Sequence, residues 1–329
     1  MARNILVLKE TSEENNQRLL DAIGGEYQIQ FSVRGREDYR NKLKEAEVII
    51  GEPSIEDLKN AEKLKWLQMT WAGTDIYTKS SDFPKNVILT NMSGVFGETI
   101  SEYVIGAILT LYRNFPIYFR NQEKKIWKDM GSEKTLFGKT VLLLGAGDIG
   151  TSIAQRLRPF GTKNIGVRRT VRGMESCFDA MHTLKDVEAL LSVADIVIGC
   201  LPDTTETENL LNRERLLKMK PDAVLVNVGR GSLIVTKDLE EVLEEGHLFG
   251  VALDVMKPEP LPKESKLWDM ENVIITPHIS GQGFGHEVRT EQKIYDVLSE
   301  NIRRYIQREP LLNVVDLERG YRVEEERYQ

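Results

Sequence analysis

Short runs rich in Ile, Val and Leu alternate along this chain with polar stretches whose apolar residues recur at helical spacing. That alternation is the mark of parallel strands joined by crossover helices, and it predicts α/β architecture. In the first part, strand candidates fall at residues 4–8, 27–32, 47–50, 66–70 and 87–91, which predict one five-stranded doubly wound sheet. A second series at 140–144, 164–168, 195–200, 223–228, 249–255 and 273–276 predicts another set of six strands. Residues 97–115 lack proline and keep the helical period, so a long helix is expected to start near Phe96 and to join two domains. A second long helical pattern covers 285–307, followed by 313–316 and a charged tail, ERGYRVEEERYQ, which reads as solvated or as a partner-binding extension.

Size agrees with two domains, because 329 residues with 41% apolar content exceed one typical core. Charge narrows the partner. With 44 Lys and Arg against 51 Asp and Glu, the net charge of -7 opposes attraction to nucleic acid or anionic lipid and favours a small molecule. The longest apolar run, 103–112, falls well short of the roughly 20 residues a spanning helix needs, so no membrane crossing is expected. The N-terminus enters a strand-like run without a leader pattern, which predicts a chain starting near Met1 and residing in the cytoplasm. Cys177 and Cys200 lack metal-site spacing and read as reduced, packed thiols, and no metal is expected.

Chemistry enters at TVLLLGAGDIG, where Gly145, Gly147 and Gly150 follow an apolar strand and open an amphipathic helix. In that context Gly145 permits a tight turn, Gly147 lets backbone approach a pyrophosphate, and Gly150 lets helix and strand pack closely. The helix N-terminus offers N–H donors and a positive dipole end to the anion. At the end of the next strand, where an NAD site carries an acidic residue, the sequence is GVRRT. Arg168, Arg169 and Thr170 suit a 2′-phosphate, which predicts NADP(H) over NAD(H) while leaving NAD(H) possible. Arg172 is the alternative phosphate ligand in this basic stretch, and a merely solvated loop is the plainer reading.

Three later strand ends carry complementary groups: Arg230 in NVGRG, Asp254 and Glu259 in LDVMKPEP, and His278 in TPHISG. Strand carboxyl ends line the ligand crevice of an open α/β sheet, so these side chains are expected to converge. Arg230 presents a rigid charged fork suited to the carboxylate of a 2-oxo acid. His278 is the natural proton donor as a hydride reaches C2. Glu259, bonded to the far ring nitrogen, would fix the tautomer and favour the imidazolium, and Asp254 would accept from the nicotinamide carboxamide. His286, in GFGHE, is a rival acid, with a place at the start of the long helix as its simpler account.

These motifs, with LPDTTET at 201–207 and LVNVGRGSLI, ALDVMKPEPLP and ITPHISG in succession, resemble the D-isomer-specific 2-hydroxyacid dehydrogenase family through most of the chain. The resemblance implies a Rossmann cofactor domain (98–285) inserted into a flavodoxin-like substrate domain (1–97 and 286–329). It implies Arg230, Glu259 and His278 as catalytic residues. It implies cofactor contacts at Asp148, Ile149, Leu201, Pro202, Thr207, Val228, Gly229 and Asp254, and at Thr99 near the entry to the first long helix. WAGTD resembles the family's carboxylate-binding loop, with the N–H groups of Ala72 and Gly73 facing the substrate acid and Trp71 either trimming the pocket or packing in the core. A homodimer is implied. The arginines at 168 and 169 look more like glyoxylate or hydroxypyruvate reductases than NAD-using members. Glu259, where formate dehydrogenases of the superfamily carry an amide, argues against formate. The absence of a regulatory domain after 313–316 argues against a long phosphoglycerate dehydrogenase. The expected reaction is NADPH-dependent reduction of a small 2-oxo acid to the D-2-hydroxy acid. The alternatives are a reductase of bulkier branched or aromatic acids and a non-catalytic NAD(P)-sensing regulator.

Overall fold

The computed structural model describes residues 3–9, 12–131, 133–171 and 173–323. The chain divides into two compact units, Gly97–Gln282 and the discontinuous pair Met1–Phe96 with Gly283–Gln329.

In the discontinuous unit, β1 (Arg3–Val7), β2 (Tyr27–Phe31), β3 (Ala46–Ile50), β4 (Trp66–Gln68) and β5 (Ile88–Thr90) form one parallel sheet in the order β2-β1-β3-β4-β5. The runs predicted the five-stranded doubly wound sheet, and its flavodoxin-like order is the one the resemblance implies. Every residue of β3 is buried, as a strand covered on both faces requires. Several buried polar groups in this core are paired. Trp66 Nε1 donates to Thr90 Oγ1 (2.7 Å), Thr90 donates to Gln68 Oε1 (2.8 Å), and Asn301 Nδ2 donates to the same Gln68 oxygen (2.8 Å). Asn301 sits on the helix Val288–Gln307, and its Oδ1 accepts from Leu312 N–H, so one amide ties helix, sheet and following segment together.

That helix starts later than the apolar period suggests. Gly285 adopts a positive φ of 68°, and Glu287 caps the helix by accepting from the N–H groups of Arg289 and Thr290. His286 therefore precedes the helix rather than opening it. The charged tail is not wholly solvated either: strands Val315–Asp316 and Tyr321–Arg322 pair antiparallel, and Thr74 Oγ1 donates to Gly320 O (2.6 Å). Residues 324–329 lie outside the described residues.

The continuous unit holds seven parallel strands where six were expected: β6 (Thr140–Leu144), β7 (Lys163–Val167), β8 (Ala180–His182), β9 (Ile196–Gly199), β10 (Val224–Asn227), β11 (Gly250–Leu253) and β12 (Val273–Ile275). Their order is β12-β11-β10-β9-β6-β7-β8, a Rossmann sheet extended by one strand. The unforeseen strand is β8, a half-buried edge of sequence AMH that has no run of branched apolar residues. The helix Gly97–Tyr112 turns its buried face, including Ile100, Val104 and Ile108, into this unit. Its first residue approaches the helix Asp148–Leu157 so closely that a Cβ on Gly97 would lie 2.3 Å from Ser152 Oγ. The long helix ends at Tyr112, and Asn114 in the left-handed region starts a separate helix, Phe115–Glu123. No helix among the described residues is long and apolar enough to cross a membrane.

Candidate active site

The glycine turn after β6 separates into three physical tasks. Gly145 takes a φ of 111°, and a Cβ there would lie 2.7 Å from Cys200 O, at the end of the neighbouring strand β9. A Cβ on Gly150 would lie 2.0 Å from Gly145 O, so helix and turn touch through bare backbone. Gly147, the N-cap residue of Asp148–Leu157, is exposed with nothing within 4 Å of its Cβ position. Two glycines pack the turn and the third faces open space at a helix N-terminus, a cradle fit for a pyrophosphate. Asp148 is exposed and Ile149 half-buried in the first helical turn. Cys177 and Cys200 are free thiols, and burial pushes Cys200 up to about 12, so it is a packed group rather than a nucleophile.

At the end of β7 the basic residues part company. Arg168 folds back on its own loop, donating to Glu175 Oε1 (3.1 Å) and Gly173 O, whereas Arg169 and Thr170 are exposed. Arg172 lies outside the described residues. After β9, Leu201 is buried and Pro202 exposed. Thr207, 5% exposed, organises that loop by donating to Pro202 O (2.6 Å) and accepting from Thr204 N–H (2.9 Å). Thr99 is half-buried in the first turn of Gly97–Tyr112.

Arg230, Glu259 and His278 stand on loops that pack against one another. Buried Val228 and Gly229 lead from β10 into Arg230, and a Cβ on Gly229 would lie 2.8 Å from Leu201 O. Asn227, fully buried, accepts from Gly229 N–H (3.2 Å) and donates to Arg230 O (2.9 Å), holding the arginine's backbone. Arg230 Nη1 donates to Gly229 O (2.8 Å). The next residue, Gly231, lies so near Met256 that a Cβ would sit 2.1 Å from its carbonyl oxygen. Met256 N–H in turn donates to Glu259 Oε1 (2.9 Å), and Glu259 Oε2 lies 3.1 Å from His278 Nδ1.

His278 is held from behind. Its backbone takes a φ of 56°, unusual for a residue with a Cβ, and its N–H donates to Asp254 O (2.9 Å). The Asp254 side chain, wholly buried, accepts from Thr276 Oγ1 (2.7 Å), Ile279 N–H (2.8 Å) and Ser280 N–H (2.9 Å). Asp254 thus grips the histidine loop on both sides, and charge-assisted bonds of this kind are strong when buried. Tyr103, on Gly97–Tyr112, adds one more link, its hydroxyl 2.7 Å from Thr276 Oγ1 and pushed up to about 12 by burial. Neither Asn227 nor Tyr103 stood out in the sequence. An Asn at a strand end and a Tyr in an apolar helix become legible only through their partners.

In the other unit, Trp71 follows β4 and is 44% exposed, which removes the core-packing reading for its side chain. Ala72 and Gly73 are half-buried, with Ala72 O accepting from Asn91 Nδ2 (2.7 Å) and Trp71 O from Met92 N–H (3.1 Å).

Residues 105–280 match the family model described as D-isomer specific 2-hydroxyacid dehydrogenase, NAD binding domain. The chain belongs to the D-isomer specific 2-hydroxyacid dehydrogenase family. It is therefore an NAD(P)-dependent oxidoreductase, and the family and fold implied by its motifs are borne out. A glyoxylate/hydroxypyruvate reductase B of Pectobacterium carotovorum is 36% identical over 258 residues, covering 75% of this chain and 79% of the relative. Among solved structures of this family, a protein from Aeromonas salmonicida superposes with a TM-score of 0.85 at 34% identity, covering 96% of this chain and 100% of that one. A family member from Xanthobacter autotrophicus, solved with NADPH and MES, gives a TM-score of 0.83 at 28% identity, covering 98% and 100%.

Proposed function

We propose that the protein is an NADPH-preferring reductase of small 2-oxo acids, forming the D-2-hydroxy acid with His278 as proton donor. The observation that carries this reading is the Glu259–His278 pair on a backbone held by Asp254. An ionised Glu259 only accepts, so Nδ1 carries the proton of that bond and Nε2 is the ring nitrogen that serves the substrate. Arg230 binds the substrate carboxylate and orients the carbonyl. In the other unit, the N–H groups of Ala72 and Gly73 would face the substrate acid group. Gly147 with the N–H groups of Asp148 and Ile149 would hold the pyrophosphate, and Arg169 and Thr170 the 2′-phosphate. Pro202, Val228 and Thr99 would line the cofactor, while Leu201, Thr207 and Gly229 shape the loops beneath it. Asp254 acts mainly by positioning, although a second acceptance from the carboxamide is compatible with its lone pairs. The bound nicotinamide supplies the hydride. As C2 gains it, His278 gives its proton to the carbonyl oxygen and Arg230 stays on the carboxylate. The reductase name of the Pectobacterium relative and the NADPH in the Xanthobacter structure both support this choice of substrate and cofactor.

Initial rates of NADPH and NADH oxidation with glyoxylate, hydroxypyruvate, phenylpyruvate and 2-oxoisocaproate test the proposal. Fast NADPH-dependent reduction of the two smallest acids is expected. A preference for the bulky acids would sink the small-substrate reading, and silence across the panel would favour a non-catalytic sensor.

We also propose a homodimer formed through the continuous unit. There Phe115, Phe119, Trp127 and Phe137 are all exposed, Trp127 completely, between residues 115 and 137. Large aromatics left in water over one short segment mark an interaction surface. Light scattering on the eluting protein should give the mass of two chains, and the mass of one would refute the dimer.

A further inference from the structure

In a sheet ordered β2-β1-β3-β4-β5, the connections from β1 and β3 leave in opposite directions, and ligands collect beyond the carboxyl ends of those two strands. The residues this chain places there are Lys9 after β1, Glu52 after β3, and Thr70 and Trp71 after β4. Backbone bonds carry the sheet right up to them, from Leu8 N–H to Ile50 O (2.8 Å) and from Gly51 N–H to Gln68 O (2.9 Å). Trp71 is followed directly by Ala72 and Gly73.

The charges there are unevenly committed. Glu52, with its side chain only 8% exposed, accepts at Oε1 from both the N–H (2.6 Å) and the hydroxyl (2.8 Å) of Thr70, and its Oε2 faces Lys9 Nζ at 3.4 Å. The Lys9 ammonium lies 5.4 Å from the centre of the Trp71 ring and 5.1 Å from that of Phe284. An ammonium has three N–H donors; among the described residues its one ion-pair partner is Glu52, and the two ring faces attract its charge without each taking an N–H, so donor capacity is left over. The cluster therefore offers a hydrogen-bond donor between aromatic walls, beside the loop that our functional reading assigns to the substrate acid group.

We propose that Lys9 reads the third carbon of the substrate, selecting 2-oxo acids that carry an oxygen there over those that carry a methyl. An oxygen on C3 accepts from Lys9 and replaces water lost by the ammonium, whereas a methyl in that place strips water and returns no bond. The aromatic walls limit the size of the group, and Glu52 holds the ammonium in place. This inference rests on the reductase reading and adds to it the substrate feature being recognised.

Hydroxypyruvate and 2-oxobutyrate make the test, since they differ by hydroxyl against methyl at C3 and are close in size, with glyoxylate as the acid that has no C3. In the wild-type protein kcat/KM for hydroxypyruvate should exceed that for 2-oxobutyrate by about tenfold or more, the range expected of one hydrogen bond to a charged group. In Lys9→Met that ratio should fall toward one, mainly through the KM for hydroxypyruvate, and Lys9→Arg should keep most of it. Glyoxylate reduction with a wild-type ratio near one overturns the Lys9 proposal alone, whatever the variants do. An unchanged ratio in a folded Lys9→Met does the same. If none of the three acids is reduced, the reductase reading falls and this inference falls with it.

Discussion

Replacing His278 with alanine is expected to lower kcat for glyoxylate reduction by a factor of about 10²–10⁴, the usual yield of a positioned acid. NADPH affinity, followed by quenching of protein fluorescence, should change little. The two readouts separate because, among the described residues, the glycine turn and the β7 end that would hold the cofactor share no hydrogen bond with the imidazole. The fold should survive as well. The loop is gripped by Asp254 through the backbone N–H groups of residues 278, 279 and 280 and through Thr276, none of which needs the ring. If the variant keeps wild-type turnover, another acid protonates the product, and exposed His286 becomes the first to examine. If wild-type protein shows no turnover but binds NADPH, the regulator reading gains.

The second large effect concerns the cofactor. Arg169→Asp should shift the kcat/KM ratio of NADPH to NADH toward NADH by about tenfold or more, since hydrogen bonds to an ionised group contribute roughly 1.5–3 kcal/mol each. The substitution also puts a carboxylate at a strand end where a ribose hydroxyl can donate to it. Steady-state rates with each cofactor at fixed glyoxylate give the ratio directly. An unchanged ratio would mean that Arg169 does not meet the 2′-phosphate. Arg169 is the position tested because, with Thr170, it stands exposed at the end of β7.

Much of this was written in local pattern. Strand candidates read from the sequence covered eleven of the twelve strands of the two parallel sheets, most clearly where burial on both faces, as in β3 and β9, leaves little freedom of composition. Edge strand β8 escaped because Ala-Met-His carries no branched apolar run and owes its conformation to the neighbouring β7. Gly145, Gly147 and Gly150 were recognisable by spacing, and their separate tasks emerged only with the atoms each would strike. Asp254 shows the limit most sharply. From sequence it read as a cofactor contact, while the structure reveals three side-chain acceptances from residues 276–280, a relation no spacing encodes. Lys9, Glu52, Trp71 and Phe284 lie far apart along the chain and share no motif; parallel pairing of β1, β3 and β4 brings the first three together, and Phe284 joins them from the segment before the helix Val288–Gln307.

The His278 side chain, anchored so firmly at Nδ1, remains 54% exposed. As the proposed acid, it would lose at each turnover a proton that must be returned before the next. With the ring open to solvent, water and dissolved buffer can return that proton directly, without a buried chain of hydroxyls or carboxylates to relay it. On that proposal, recharging the acid would be a diffusional encounter with an abundant partner, and the pace of catalysis would be left to hydride transfer and to the exchange of product and spent cofactor.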